Sequence, residues 1–271
     1  MEDIAMRRTT FGLLVWVATL TSVLISAAPL PAQLPVPYAR APSYESDKTG
    51  VSTGGEFADI NRDGWPDLVI ANGNDIQRQN VVVYYNKGDG TFPTNPDWRS
   101  SDIDYHGHLD VGDVNGDGWP DVVVSVFLGP RKWGDPGRAK LYLNDGKGQL
   151  IKTPAWSTAD GFFSFSLALG DVDLDGDLDL AVATGEPYQD PADYDRVYLN
   201  NGGTLSTLPA WKSATKTHCL DVGWCDVDGD GDLDLAFTGA KGPDLLYLNQ
   251  GGVLPTVAGW TSTDGGTARN G

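Results

Sequence analysis

Four nine-residue stretches hold 16 of the chain's 37 acidic residues. The densest is Asp226-Val227-Asp228-Gly229-Asp230-Gly231-Asp232-Leu233-Asp234. Residues 59–67, 113–121 and 171–179 repeat its frame, Asp-x-(Asp/Asn)-x-Asp-Gly-x-x-Asp. Carboxylates this close repel one another near neutral pH unless a cation holds them. Side chains at positions 1, 3 and 5 of a tight loop can point oxygens at one centre. Gly at position 6 permits the sharp turn, position 7 can offer its carbonyl, and Asp at position 9 closes the shell. Such an all-oxygen shell suits Ca2+.

The expected ligands in the first two loops are Asp59, Asn61, Asp63, Trp65 and Asp67, then Asp113, Asn115, Asp117, Trp119 and Asp121. In the last two they are Asp171, Asp173, Asp175, Asp177 and Asp179, then Asp226, Asp228, Asp230, Asp232 and Asp234. Up to four structural Ca2+ ions are expected. The last two loops have a carboxylate at every side-chain ligand position and are expected to bind more tightly. An EF-hand is excluded, because that loop needs a bidentate Glu at position 12. Here position 12 holds Ile70, Val124, Val182 and Phe237. The protein fills the shell, so the metal is expected to fix a hairpin rather than activate water.

Candidate catalytic groups are few, and none is assigned. His106 and His108 are expected to share one side of a strand entry, and His218 leads into another. No nucleophile elbow, phosphate-binding glycine loop or zinc motif appears.

The elements that must position the loops recur with them. First aspartates are separated by 54, 58 and 55 residues. A short strand precedes each loop (55–58, 108–112, 166–170, 220–224), and a nearly all-apolar strand follows it (68–71, 122–125, 180–183, 235–238). Such runs suit strands buried on both faces. A third strand ends in an aromatic and an Asn (Asn86, Asn144, Asn200, Asn249) before a Gly-rich turn. A brief fourth ends near Trp98, Trp156, Trp211 or Trp260, each with Ser or Thr two residues on, and Tyr44 with Ser46 stands in the same place ahead of the first unit. Four short antiparallel strands per repeat of about 55 residues describe an all-β fold, a β-propeller of four-stranded antiparallel blades.

The four Asp loops, the Leu/Val runs after them and the (Leu/Val)-Tyr-(Leu/Tyr)-Asn-x-Gly segments resemble FG-GAP/VCBS-type repeats. Those are the blades of integrin-α-like propellers and of many secreted bacterial proteins. The resemblance runs from about Tyr44 onward, in repeats near 44–97, 98–155, 156–210 and 211–259, with a stub of a fifth from 260. A literal Phe-Gly/Gly-Ala-Pro signature is not present. Four repeats imply either an incomplete propeller, the favoured expectation, or a four-bladed one closed by the Tyr44 segment.

The net charge of −18 argues against non-specific binding to nucleic acid or anionic membrane. Arg7 and Arg8 precede an apolar run to Ile25 and then small residues. Residues 1–33 therefore read as a secretory signal peptide, with an uncleaved membrane anchor as the alternative, followed by a Pro-rich linker over 34–43. No membrane insertion is expected after its cleavage. The expected location is secreted, periplasmic or cell-surface, where calcium is plentiful. Cys219 and Cys225 lie on one extended strand, too far apart to bridge, and both are expected to be buried.

Loops between second and third strands vary from unit to unit, and they fall at the end opposite the Asp loops. Variation on one face suggests binding, with Arg131, Lys132, Trp133, Tyr188 and Tyr194 as candidate ligand-binding contacts. The expected function is a non-catalytic adhesion module whose partner is an extracellular protein or polysaccharide. The alternative is the propeller of a polysaccharide-degrading enzyme such as a lyase.

Overall fold

The computed structural model describes residues 42, 44–46, 50–185, 191–263 and 266–267. The expected signal peptide and most of the linker lie outside them, as does Tyr188. All of the strands belong to one unit, Tyr44–Gly271. Among the described residues no helix is long and apolar enough to cross a membrane.

Each repeat folds as a four-stranded antiparallel meander. Unit 1 comprises β1 (Ser52–Ala58), β2 (Asp67–Gly73), β3 (Arg78–Tyr84) and β4 (Trp98–Arg99). Unit 2 comprises β5 (Tyr105–Gly112), β6 (Asp121–Leu128), β7 (Ala139–Tyr142) and β8 (Trp156–Ser157). Unit 3 comprises β9 (Ser166–Gly170), β10 (Asp179–Ala183), β11 (Arg196–Tyr198) and β12 (Trp211–Lys212). Unit 4 comprises β13 (Cys219–Cys225), β14 (Asp234–Gly239), β16 (Leu245–Tyr247) and β17 (Trp260–Thr261), while β15 (Lys241–Gly242) pairs with β18 (Gly266–Thr267). Neighbouring units meet through their first strands, β1 with β5, β5 with β9 and β9 with β13. The blade architecture is as the repeat pattern predicts.

The burial of the second strand explains its composition. Every residue of β6 and of β10 is buried, whereas β2 alternates and β14 is partly exposed. Side chains alternate across a strand, so each middle unit fills two interfaces. Val122 and Val124 pack towards unit 1 with Val69, Val83 and Trp98, and Val123 packs towards unit 3 with Leu180 and Val182. Units 1 and 4 leave one face of the second strand less covered, so the expected two-sided burial holds fully only for the middle pair.

The fourth-strand Trp is an interface residue. Trp98 meets Tyr142 edge-on at 6.0 Å, Trp156 meets Tyr198 at 6.1 Å, and Trp211 meets Tyr247 at 5.1 Å, each time across a unit boundary. Tyr44 makes the equivalent contact with Tyr84 at 6.2 Å, and its hydroxyl donates to the Pro93 carbonyl at 2.6 Å. The Tyr44 segment thus stands in for a preceding unit's Trp, while unit 4 has its own fourth strand at Trp260, which is 54% exposed. Aromatic pairs add about 0.5–1.5 kcal/mol beyond area burial. Tyr44→Ala is expected to cost about 1–2 kcal/mol in chemical denaturation, with an unchanged m-value.

The recurring Ser or Thr also acquires a role. Ser100 Oγ accepts the Val81 N–H and donates to the Asp102 carbonyl. Ser213 does the same between Asp195 and Thr215. The hydroxyl adds a side-chain bond beside the backbone bond that each Ser N–H makes, to Val81 and to Asp195, just past the fourth strand. Cys219 is buried and Cys225 exposed, both free, at opposite ends of β13. The expectation that they do not bridge holds; burial of Cys225 does not, because it sits where the strand runs out into an exposed loop.

Candidate metal centres and the opposite loop face

Each Asp loop joins the first and second strands of its unit, as the spacing predicts. Two of its residues take the left-handed backbone. Gly at position 6 has φ of 92°, 89°, 94° and 98° in the successive loops. Position 4 is left-handed as well: Arg62 at 56°, Gly116 at 71°, Leu174 at 63° and Gly229 at 80°. The motif needs two reversals, and sequence reasoning found only the one that is always Gly. At Arg62 and Leu174 the loop holds a side chain in a conformation that L-residues disfavour.

The carboxylates divide the work. At position 1, Asp59 accepts the N–H groups of Asp63 (3.0 Å) and Gly64 (2.9 Å), and Asp113 and Asp171 repeat this pattern. Position 5 accepts the N–H of position 7, as Asp63 does from Trp65 at 2.9 Å. In loops 3 and 4, oxygens of positions 1, 3 and 9 gather within 4.8 Å of one another: Asp171, Asp173 and Asp179, and Asp226, Asp228 and Asp234. Asp175 and Asp230, at position 5, stand outside these groups. In loops 1 and 2 the position-3 Asn instead donates its amide to position 5, at 3.0 Å for Asn61 to Asp63 and 2.9 Å for Asn115 to Asp117.

A hard divalent cation fits loop 3. Asp173 Oδ1 is buried with no hydrogen-bond partner, inside the gathered trio. Burial, then the Asp175 charge, push the Asp173 carboxyl above its ordinary range. Such a group is stabilised by a cation and by little else on hand. Asp177 and Asp232, expected to supply position-7 carbonyls, also use their side chains: Asp177 accepts the Gly202 N–H at 2.6 Å, and Asp232 accepts that of Gly251.

Position 9 is the most buried ligand and does most to join the loop to the sheet. Asp67, Asp121 and Asp179 are fully buried, and Asp234 is 1% exposed. One oxygen of each accepts the N–H of position 2 in the same loop. The other accepts the main-chain N–H of the third-strand Asn: Asn86, Asn144, Asn200 or Asn249. Burial outweighs these donors and pushes Asp121 and Asp179 up to about 6. An apolar residue would strand both N–H groups.

The histidines do not form a metal pair. A register shift in β5 separates them, so His106 is fully buried and His108 exposed. His106 Nδ1 lies 2.5 Å from the Asn72 carbonyl, and burial holds its pKa below the ordinary value. The first strands carry a cluster the sequence reading missed. Glu56 on β1 hydrogen-bonds Asp110 on β5, and burial followed by the Asp110 charge lifts Glu56 to about 7. On the neighbouring strands Ser166 Oγ donates to Asp221 Oδ1 at 2.5 Å, and His108 Nδ1 lies 4.0 Å from the same oxygen. In sequence these residues are scattered over 166 positions, and only their common place before each loop links them.

At the opposite end, the candidate contacts are partly used inside the fold. Arg131 pairs with Asp135 at 2.9 Å. Lys132 lies over the Tyr105 ring, and Trp133 packs edge-on against Phe127 at 5.7 Å. Lys132 and Trp133 hold the 129–137 loop onto an aromatic cluster that includes Phe163 and Phe165, while the exposed Arg131 closes the loop on itself. Tyr194 lies in the corresponding loop of unit 3, under Lys216 at 5.3 Å.

Comparison with known proteins places this architecture. The FG-GAP-like repeat family matches residues 49–124, 126–182 and 183–237. Human integrin alpha-7 is 30% identical over 142 residues, which is 51% of this chain and 11% of that protein. Integrin alpha-6 of Gallus gallus is 29% identical over 158 residues, 52% of this chain and 14% of that protein. The chain thus spans a small part of the length of these relatives. Among solved structures, the exotype rhamnogalacturonan lyase YesX aligns over 76% of this chain and 40% of its own, with a TM-score of 0.46 and 17% identity. With the repeat matched in three successive segments that cover most of the sequence, the chain belongs to the FG-GAP-like repeat family.

Proposed function

We propose that this chain is an extracellular, calcium-stabilised propeller module that binds a macromolecule, protein or glycan, without catalysing a reaction. The observation that carries the calcium reading is the gathered trio Asp171, Asp173 and Asp179 with its unpartnered buried oxygen. Three further loops in the same frame extend it along the array. Similarity to integrin alpha chains supports the adhesion reading. The leader-like residues 1–33 support export. The loops at the far end from the Asp residues, with Trp133 and Tyr194, are the proposed contact face.

One observation favours a second reading. Asp221, Ser166 and His108, beside the Glu56–Asp110 pair, offer acid and base groups on adjacent first strands. That is what proton abstraction in a polysaccharide lyase would require. A single experiment separates the two. Purified protein is applied to arrays of glycans and extracellular proteins, with calcium and with chelator, and incubated with acidic polysaccharides while unsaturated products are followed by absorbance. Calcium-dependent capture without product formation is expected. Turnover that Asp221→Asn abolishes would replace the binding reading with the enzymatic one.

A further inference from the structure

The four Asp loops are joined in one hydrogen-bonded series. The residue at position 2 connects each loop to the next unit. Ile60 donates its N–H to Asp67 at 3.0 Å, and its carbonyl accepts Asn144 Nδ2 at 2.9 Å. The main-chain N–H of Asn144 then donates to Asp121 at 2.8 Å, the position-9 residue of the following loop. Asp121 accepts the Val114 N–H at 3.0 Å, and the Val114 carbonyl accepts Asn200 Nδ2 at 2.7 Å. Asn200 donates its N–H to Asp179 at 2.7 Å, and Asp179 accepts the Val172 N–H at 2.9 Å. The Val172 carbonyl accepts Asn249 Nδ2 at 2.8 Å, and the Asn249 N–H reaches Asp234 at 2.8 Å. Every link is buried.

A second contact runs beside each link. The Gly-rich turn after the Asn packs on position 3 of the preceding loop. A Cβ on Gly148 would lie 3.0 Å from Asn61 Cα, one on Gly203 would lie 2.4 Å from the Asn115 carbonyl oxygen, and one on Gly252 would lie 2.9 Å from that of Asp173. So the backbone that presents an expected metal ligand in one loop is braced by the unit that carries the next loop.

We infer that the loops fill cooperatively, with an ion in one loop ordering its neighbours through the third-strand Asn side chains. This rests on the calcium reading above. An ion-free loop holds carboxylates that repel, and a loosened loop withdraws its position-2 carbonyl from the next Asn. That Asn then holds the next position-9 aspartate less firmly. Order gained at one loop therefore reduces the ordering cost at the next. Asn144, Asn200 and Asn249 are positioning residues in this scheme; they do not touch the ion.

Asn86 provides an internal control. Like Asn144, it donates its N–H to a position-9 aspartate and its side-chain amide to the position-8 carbonyl of its own loop, and its Oδ1 caps two turn glycines. It differs from Asn144 in lacking the bond to a preceding loop among the described residues. Calorimetric titration of chelated full-length protein with CaCl2 tests the inference. A Hill coefficient above 1 is expected for the wild type, falling towards 1 in Asn144→Ala and Asn200→Ala and unchanged in Asn86→Ala. Should those variants misfold, Asp117→Ala removes a ligand of loop 2 from an exposed position. It is expected to weaken the remaining sites by about five-fold or more, the lower end of typical coupling. Independent sites of unchanged affinity in that variant overturn the coupling while leaving calcium binding intact. No binding heat in the wild type overturns both.

Discussion

Removing calcium at pH 7.5 is expected to destabilise this protein by roughly 11 kcal/mol, relative to a solution with the ion at about a hundred times its dissociation constant. An ion that binds only the folded state contributes about 2.7 kcal/mol per site under that condition, and four sites are proposed. Domains carry a net stability of about 5–15 kcal/mol, so chelation should bring the melting transition close to ambient temperature. Protonation gives the effect a definite pH dependence. Burial, first of all, raises Glu56 to about 7 and Asp121, Asp179 and Asp195 to about 6. Their unfolded values lie near 4. Between those limits the folded chain holds more protons than the unfolded one, so ion-free stability falls as pH rises from about 4 to about 7. His106, lowered by burial, acts in the opposite direction. Asp102, where burial is overcome by the Lys140 and Tyr142 hydrogen bonds, is lowered and acts only below this window. Asp67, Asp110, Asp173 and Asp228 are raised as well, so the raised carboxylates outnumber His106 in this window, and self-repulsion at net charge −18 reinforces them. Bound calcium needs ionised carboxylates, so the loaded protein should gain stability over the same window. Thermal melts followed by circular dichroism, at pH 5 and 7.5 with and without chelator, check both slopes. A chelated melting temperature that rises with pH and ignores calcium would refute the assignment.

Much of this was legible in the sequence because it repeats. Four in-frame Asp loops, four third-strand Asn residues and the Trp-x-(Ser/Thr) pairs gave the blade, its strand order and the position of each loop. What the residues at those positions do was less accessible. The Asn side chain looks like turn chemistry, and only the adjacent unit reveals that it donates to Ile60, Val114 or Val172. The same limit hid the aspartates two residues beyond Ser100 and Thr158. Asp102 accepts the Tyr142 hydroxyl, and Asp160 the Tyr198 hydroxyl, each at 2.8 Å across a unit boundary. Lys140 and Arg196 complete these bridges. A periodic sequence specifies one unit well. It specifies the interface poorly, because interface partners lie 38 to 86 residues apart at different positions of their repeats. The histidines failed for a different reason: a bulge in β5 reverses the alternation on which the expected pairing of His106 and His108 depended.

Asp121→Ala separates what the protein does at position 9 from what a metal does there. Its carboxylate accepts N–H bonds from Val114 and Asn115 on one oxygen and from Asn144 on the other. Removing it strands at least two buried donors, at about 1–3 kcal/mol each. A loss of about 4 kcal/mol is therefore expected in urea denaturation under chelation, before any ion is considered. Asp121→Asn keeps an acceptor on one side only and turns an amide towards the other N–H, so it should fall between Asp121→Ala and wild type. Asp117→Ala serves as the contrast. Asp117 is exposed in the same loop and accepts the Trp119 N–H at 2.9 Å. It should stay near wild type in chelator and lose stability against wild type only when calcium is added. If Asp121→Ala and Asp117→Ala are equally stable without calcium, position 9 is an ordinary ligand and not the clamp between loop and third strand. If Asp121→Ala alone is severely destabilised there, the loop is held by its own hydrogen bonds first. Calcium then closes a turn that the buried aspartate has already anchored to the sheet.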